Sequence, residues 1–297
     1  MALYAFDGTW NADRDRNERD TNVRLLFDLS AEPDTHKLYT AGVGTKFKRI
    51  GQLIGGMFGA GSFSRVAAAY DHLRRTYRPG DPIDVIGFSR GASLALDFVN
   101  RIVDRRGTPG APQPTIRFIG LFDVVGSFGI PFNVWPFRFQ TWNVGHKLTL
   151  PAAHVQHCYH ALALDERRQT FALTRIAGAH EVWFRGVHSD IGGGNGNTKL
   201  SFIALRWMLR KALAAGVPMD LAAVEALSLD AGIDSTAPLS LPLDLAPNDF
   251  RRCLAADRRH YTVAPPLDRP DRDRCNPAIP GVVETEIDEI VLQPAIG

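Results

Sequence analysis

Residues 83–103 constrain the fold more than any other part of the chain. The run Ile83-Asp84-Val85-Ile86-Gly87-Phe88 is apolar and rich in β-branched residues. Ser89 follows, between Gly87 and Gly91, and then Ala92, Ala95, Leu96, Val99, Ile102 and Val103 recur at helical spacing. The period changes from that of a strand to that of a helix within a few residues. A serine in G-x-S-x-G between a strand and a helix sits on a sharp, strained turn that exposes its hydroxyl. With 27 glycines in 297 residues, such a pentapeptide arises by chance in roughly one chain in ten, so the flanking strand and helix carry the inference. Ser89 is read as a nucleophile. Gly87 and Gly91 are read as the small residues that a crowded strand–helix elbow demands. Ser93 would lie inside the helix and Ser189 has no flanking elbow, so both are weaker.

The same alternation continues along the chain. Residues 3–6, 37–40, 116–122 and 182–187 read as strands. Residues 64–77, ended by Pro79-Gly80, and 200–215, ended by Gly216, read as helices. Strands alternating with helices predict an α/β fold, a mainly parallel central sheet with helices on both faces. Ligands of such sheets bind at the edge formed by the carboxyl ends of the strands. The length suits a single domain, 1–297, with a catalytic core over 1–216. The proline-rich stretch 217–297 reads as a C-terminal extension packed on that core, partly irregular. Residues 130–150 are aromatic and punctuated by proline. They read either as a lid or pocket wall over the site or as a core-packing insertion.

Composition narrows the chemistry. Lys plus Arg is 34 and Asp plus Glu is 32, a net charge of +2, which gives no electrostatic case for nucleic acid as a partner. Cys158, Cys253 and Cys275 are far apart and form no C-x-x-C. A reducing compartment is the simplest reading, with a single bridge left open. The first residues run straight into a strand without a basic and then apolar leader, and no uncharged apolar run reaches the roughly 18 residues of a membrane span. The expected location is cytoplasmic, or exported without a signal peptide. There is no H-E-x-x-H, Walker A or G-x-G-x-x-G sequence, and three histidines at helical spacing, His154, His157 and His160, converge poorly on one ion. Neither metal nor cofactor is expected.

A serine hydroxyl needs a base, usually a histidine held by a carboxylate. Asp123 closes the apolar run 116–122, which puts it at the carboxyl end of the strand after that of Ser89. His188 follows residues 182–187 and opens the glycine-rich segment Ser189-Asp190-Ile191-Gly192-Gly193-Gly194. The order serine, acid, histidine is that of α/β hydrolases. Asp190 competes for the acid's role, but two residues from His188 it reads better as a carboxylate that holds the loop. An oxyanion hole needs aimed backbone N–H groups. The N–H of Arg90, next after the nucleophile, is one. The other falls to Gly8 or Thr9, in Asp7-Gly8-Thr9-Trp10 after the first strand, with Asp7 in support.

These segments together make the chain similar to a known family. Phe6-Asp7-Gly8-Thr9-Trp10-Asn11, Gly42-Val43-Gly44-Thr45, Gly87-Phe88-Ser89-Arg90-Gly91-Ala92, Leu121-Phe122-Asp123-Val124-Val125-Gly126-Ser127, His160-Ala161-Leu162-Ala163-Leu164-Asp165-Glu166-Arg167 and Gly186-Val187-His188-Ser189-Asp190-Ile191-Gly192-Gly193-Gly194 occur in this order over residues 3–215. They resemble the α/β-hydrolase domain of uncharacterised bacterial and fungal proteins that also forms the catalytic part of type VI secretion phospholipase effectors. The resemblance implies a triad of Ser89, Asp123 and His188 and hydrolysis of esters, with phospholipid acyl esters as the effectors' substrate. The expected function is a serine hydrolase that cleaves carboxylic, above all lipid acyl, esters through an acyl-enzyme. Its partners would be a lipid or small ester and a transient membrane surface. Any secretion or immunity partner stays unnamed. Two alternatives stay open at this point, an amidase or peptidase on the same triad and a non-catalytic binding scaffold.

Overall fold

A computed structural model describes residues 1–8, 20–42, 58–126, 146–168, 171–240, 249–264, 269 and 271–284, with backbone alone at 58–62 and 230–231. Most of the residues of the expected lid, 130–150, and all of those in the loop after Gly8 up to residue 19 lie outside them.

Eight strands form one sheet: β1 (Ala2–Phe6), β2 (Lys37–Thr40), β3 (Pro82–Phe88), β4 (Thr115–Phe122), β5 (Val155–Ala163), β6 (His180–Phe184), β7 (Arg258–His260) and β8 (Val282–Glu284). Their order is β2-β1-β3-β4-β5-β6-β7-β8, and every neighbouring pair is parallel. Parallel strands need crossover connections, and helices supply several of them. The helices are α1 (Asn22–Asp28), α2 (Phe58–Thr76), α3 (Arg90–Asp104), α4 (His188–Gly192), α5 (Thr198–Ala214), α6 (Leu221–Ala226) and α7 (Leu229–Gly232). From β1 the chain runs outward to β2 and then returns to β3 on the other side. The strand order therefore reverses between β1 and β3, and ligands of open α/β sheets bind beyond the carboxyl ends of the strands at such a reversal.

The sheet is buried on both faces because successive side chains point to opposite sides. In β1, Leu3 and Ala5 join a core with α1 and α5, while Tyr4 and Phe6 join a second core with α2 and α3. The helical stripe read from the sequence of α3 is the face that packs, with Ala92, Ala95, Leu96, Val99 and Ile102 fully buried. Each large apolar side chain so buried contributes about 1.5–3 kcal/mol. Asp84 is the one charged residue inside the β3 run. It is buried and accepts from Arg117 Nε at 2.9 Å, at a register shift between β3 and β4.

Two expectations change. The stretch holding His157 and His160 is strand β5, not a helix, so residues three apart point to opposite faces. Among the described residues no group of three or more His, Cys, Asp or Glu side chains is arranged to hold a metal ion. The extension is also more regular than its prolines suggested, since β7 and β8 continue the sheet beyond β6. Cys158, Cys253 and Cys275 are all free and buried. No helix of the described residues is long and apolar enough to cross a membrane.

Candidate active site

The site gathers at the carboxyl ends of β1, β3, β4 and β6. Ser89 follows β3 with φ 59° and ψ −127°, a conformation outside the ordinary regions that costs on the order of 1–3 kcal/mol. Local packing enforces it. A β-carbon on Gly91 would overlap the carbonyl oxygens of Phe6 and Asp7, and one on Gly87 would lie 2.6 Å from Cα of Ala92. The backbone of Ser89 is latched on both sides to the segment that carries Asp123. Its N–H donates to Phe122 O at 3.0 Å, and its carbonyl accepts from Val125 N at 3.3 Å.

Asp123, directly after β4, also has positive φ, 42°. Its N–H donates to Ala161 O at 2.8 Å, and the next amide, Val124 N–H, donates to His160 Nε2 at 3.0 Å. That bond requires Nε2 to be bare, so Nδ1 of His160 carries the proton and donates to Glu181 Oε1 at 3.0 Å. The Asp123 side chain is completely buried. Its Oδ2 accepts from His188 Nδ1 at 2.5 Å. Its Oδ1 accepts from Ala163 N at 2.9 Å and Arg251 Nη1 at 2.6 Å. Burial opposes the charge on Asp123, but Arg251 and His188 outweigh it and hold the carboxyl well below the usual carboxylate range.

His188 is the first residue of α4, a single helical turn where the sequence suggested a loop. The ring lies between Phe88 and Phe171, each 4.6 Å away centroid to centroid. Burial lowers its pKa. Asp123 and Glu166 push it up and Arg251 pushes it down, and the net direction is below the ordinary value. The imidazole is therefore neutral at pH 7. With Nδ1–H given to Asp123, its Nε2 is the bare, basic nitrogen.

Asp190 fastens the turn rather than touching the ring. Its Oδ2 accepts from Val187 N and Ser240 N, both at 3.1 Å. Its Oδ1 accepts from Asn195 Nδ2 at 2.9 Å and Asn197 Nδ2 at 3.1 Å. Asp7 is buried and accepts from Thr21 Oγ1 at 2.7 Å, Tyr39 Oη at 2.5 Å and Gly8 N at 2.6 Å. It thereby ties the end of β1 to α1 and β2. Gly8 is close enough to Ser89 that a β-carbon on it would meet Ser89 Cβ at 3.3 Å. Its N–H, however, donates to Asp7. Thr9 lies outside the described residues. Arg90 opens α3, and the amides of a first turn make no bond within their helix.

Two residues here were not singled out from the sequence. Glu166 is buried and accepts from His188 N at 3.1 Å and from Arg168 Nη2 at 2.7 Å. Arg251 belongs to the extension. Glu166 lies inside the motif segment 160–167, next to Asp165, and that segment is its only sequence signal. Arg251 stands in an irregular stretch with no periodic or motif signal.

An all-parallel sheet clothed by helices on both faces, with a strained serine at its switch point, defines an α/β-hydrolase fold. Residues 3–107 and 100–211 match the catalytic domain of Tle1-like phospholipase effectors of the T6SS. The chain belongs to that family. An uncharacterized protein from Pseudomonas aeruginosa, known from a crystal structure, has a similar fold: TM-score 0.52, 21% identity, 74% of this chain and 46% of that one. The Tle1 effector bound to the VgrG spike from the Type 6 secretion system matches with TM-score 0.47 and 23% identity, over 65% of this chain and 51% of its own. The chain thus spans about half the length of these solved structures. No curated protein matches it.

Proposed function

We propose that this chain is a serine hydrolase that cleaves lipid acyl esters through an acyl-enzyme. The observation that carries the reading is the buried pair of Asp123 Oδ2 and His188 Nδ1, 2.5 Å apart, on the same sheet edge as a serine held at φ 59°. Membership of a phospholipase effector family supports the choice of ester substrate.

Ser89 Oγ attacks the ester carbonyl carbon while its proton passes to His188 Nε2. Asp123 holds the ring in the tautomer that leaves Nε2 bare and stabilises the imidazolium as it forms. The carbonyl oxygen becomes an oxyanion beside the N–H of Arg90. The C–O bond to the alcohol then breaks, and His188 returns the proton to the leaving oxygen. Water, deprotonated by the same nitrogen, releases the fatty acid and restores Ser89.

The test is hydrolysis of phosphatidylcholine vesicles by the purified chain, with products identified by mass spectrometry. Wild type should release free fatty acid, and Ser89→Ala should lose on the order of 10⁶-fold in kcat. Equal release by the two proteins rejects the assignment. Because burial holds His188 below the ordinary histidine value, the acid limb of kcat/KM should lie below about pH 6.5. A limb well above that would show that another group is the base.

A further inference from the structure

The carboxylate of Asp123 has two jobs to reconcile, facing the imidazole with one oxygen and surviving burial as an anion. The strand end alone gives it a single backbone donor, Ala163 N, at 2.9 Å. The remaining donor arrives from residues beyond the stretch that matches the family, which ends at 211. Arg251 reaches in with Nη1 to Asp123 Oδ1 at 2.6 Å and to Ala163 O at 2.9 Å, and with Nη2 to Phe171 O at 2.6 Å. Its side chain is 9% exposed. It therefore stands behind the acid, on the side away from His188.

We infer that Arg251 is a positioning residue of the hydrolytic site, which locks the Asp123 carboxylate in the one rotation that turns Oδ2 to His188. The inference rests on the triad reading given above. Two donors on Oδ1 leave Oδ2 as the oxygen turned to the imidazole, and rotation of the carboxylate would break both. The same guanidinium binds the carbonyl of Phe171, whose ring is one wall of the His188 pocket. One planar fork thus fixes the acid, the end of β5 and the wall together, which the point charge of a lysine cannot do.

Arg251 is itself anchored. Asn276 Nδ2 donates to Arg251 O at 2.8 Å, and Asn276 N donates to Asp165 Oδ1 at 2.7 Å. Asp165 in turn holds Arg185 Nη1 at 2.6 Å and Gly186 N at 2.7 Å, two residues before His188.

Among the described residues the charges that act on the His188 ring come from three elements. Asp123 comes from the end of β4. Glu166, bound to Arg168, comes from the segment after β5, and Arg251 comes from the extension. On α4 itself Asp190 is engaged by Val187, Ser240, Asn195 and Asn197. The apolar rings of Phe88 and Phe171 complete the pocket. Arg251 lies against Asp123 at 2.6 Å, and it disfavours a proton on His188. Removing it should therefore raise the pH at which His188 protonates.

The experiment compares wild type, Arg251→Gln and Arg251→Lys, with Ser89→Ala as the blank. Two readouts are taken: p-nitrophenyl butyrate hydrolysis across pH, and NMR titration of His188 in protein carrying ¹⁵N-histidine. For Arg251→Gln, kcat should fall roughly 10- to 100-fold with KM little changed, and the acid limb and the His188 titration should both move up by about half a unit to one unit. Arg251→Lys should return the titration to the wild-type pH while kcat stays depressed. A Gln variant with wild-type kcat and an unmoved titration overturns the inference. If Gln prevents folding, the Lys variant decides, and wild-type kcat in it is equally fatal. Should wild type show no Ser89-dependent turnover, the hydrolase reading fails, and the NMR titration still tests Arg251 by itself.

Discussion

The segment from β1 to α5 and the extension from residue 249 to 284 are attached to the same sheet by different physics. In the first, apolar side chains on both faces of the strands do the holding, as in β3, where Ile83, Val85, Ile86 and Phe88 are all buried. In the second, β7 and β8 are three residues long, and Val282 is 62% exposed. Beyond a small apolar cluster of Cys253 and Val263 with Leu162, Leu164 and Trp183, the extension grips through polar groups. Arg185 holds the carbonyls of Asn276 and Ala264, Arg175 holds Asp257, and Glu284 holds His180, Trp207 and Lys211. Hydrophobic burial is non-directional and tolerant. A network of charge-assisted hydrogen bonds is directional, so it can deliver one guanidinium to one carboxylate oxygen. The two regions should therefore fail in different ways.

Among substitutions that probe this contrast, the largest effect should fall where the two regions meet, on Asp123, the proposed acid. Asp123→Asn should cost about 10⁴-fold in kcat by favouring the wrong tautomer of His188, read by ester hydrolysis on folded protein. A loss under tenfold would mean that the acid lies elsewhere. Next comes the joint itself. Arg185→Met leaves Asp165 buried without its cation, and both side chains are nearly inaccessible, 2% and 0% exposed. Stability to urea should drop by about 3–5 kcal/mol, with residues 251–284 becoming open to protease first. Uniform loss of protection over the whole chain would erase the distinction between the regions.

Phe98→Ala tests the apolar side. Phe98 is fully buried and lies 4.7 Å from Tyr4, ring to ring. The cavity should cost about 3–5 kcal/mol, and the same amount at every pH. Glu284→Gln should behave in the opposite manner at the smallest scale. Burial raises the pKa of Glu284, but bonds from His180 and Trp207 outweigh it and hold it down to about 2. A depressed carboxyl contributes stability above its unfolded value, about 4.3, and loses it as pH falls to about 2. The variant should thus be less stable by about 1 kcal/mol at neutral pH, a modest figure because His180 is 31% exposed. The gap should close in urea titrations taken below pH 4. A gap that persists at pH 2 would assign the effect to packing.

The sequence by itself determined the α/β class, the strand edge that carries the site, and the placing of Ser89, Asp123 and His188 just after strands. Periodicity and turn sterics are local, so an apolar run that ends in a glycine-flanked serine can be read without knowing its neighbours. It also read Asp190 as a carboxylate that holds its own loop, because three of the donors it meets, on Val187, Asn195 and Asn197, lie a few residues away. The tertiary structure alone decided that β5 is a strand, that His160 holds the backbone beside Asp123, and that Glu166 and Arg251 bond to the backbone of His188 and the carboxylate of Asp123. Those side chains act through directional hydrogen bonds between residues far apart in the chain. Such a bond needs no repeat or motif at either end, so only folding brings its two partners into view.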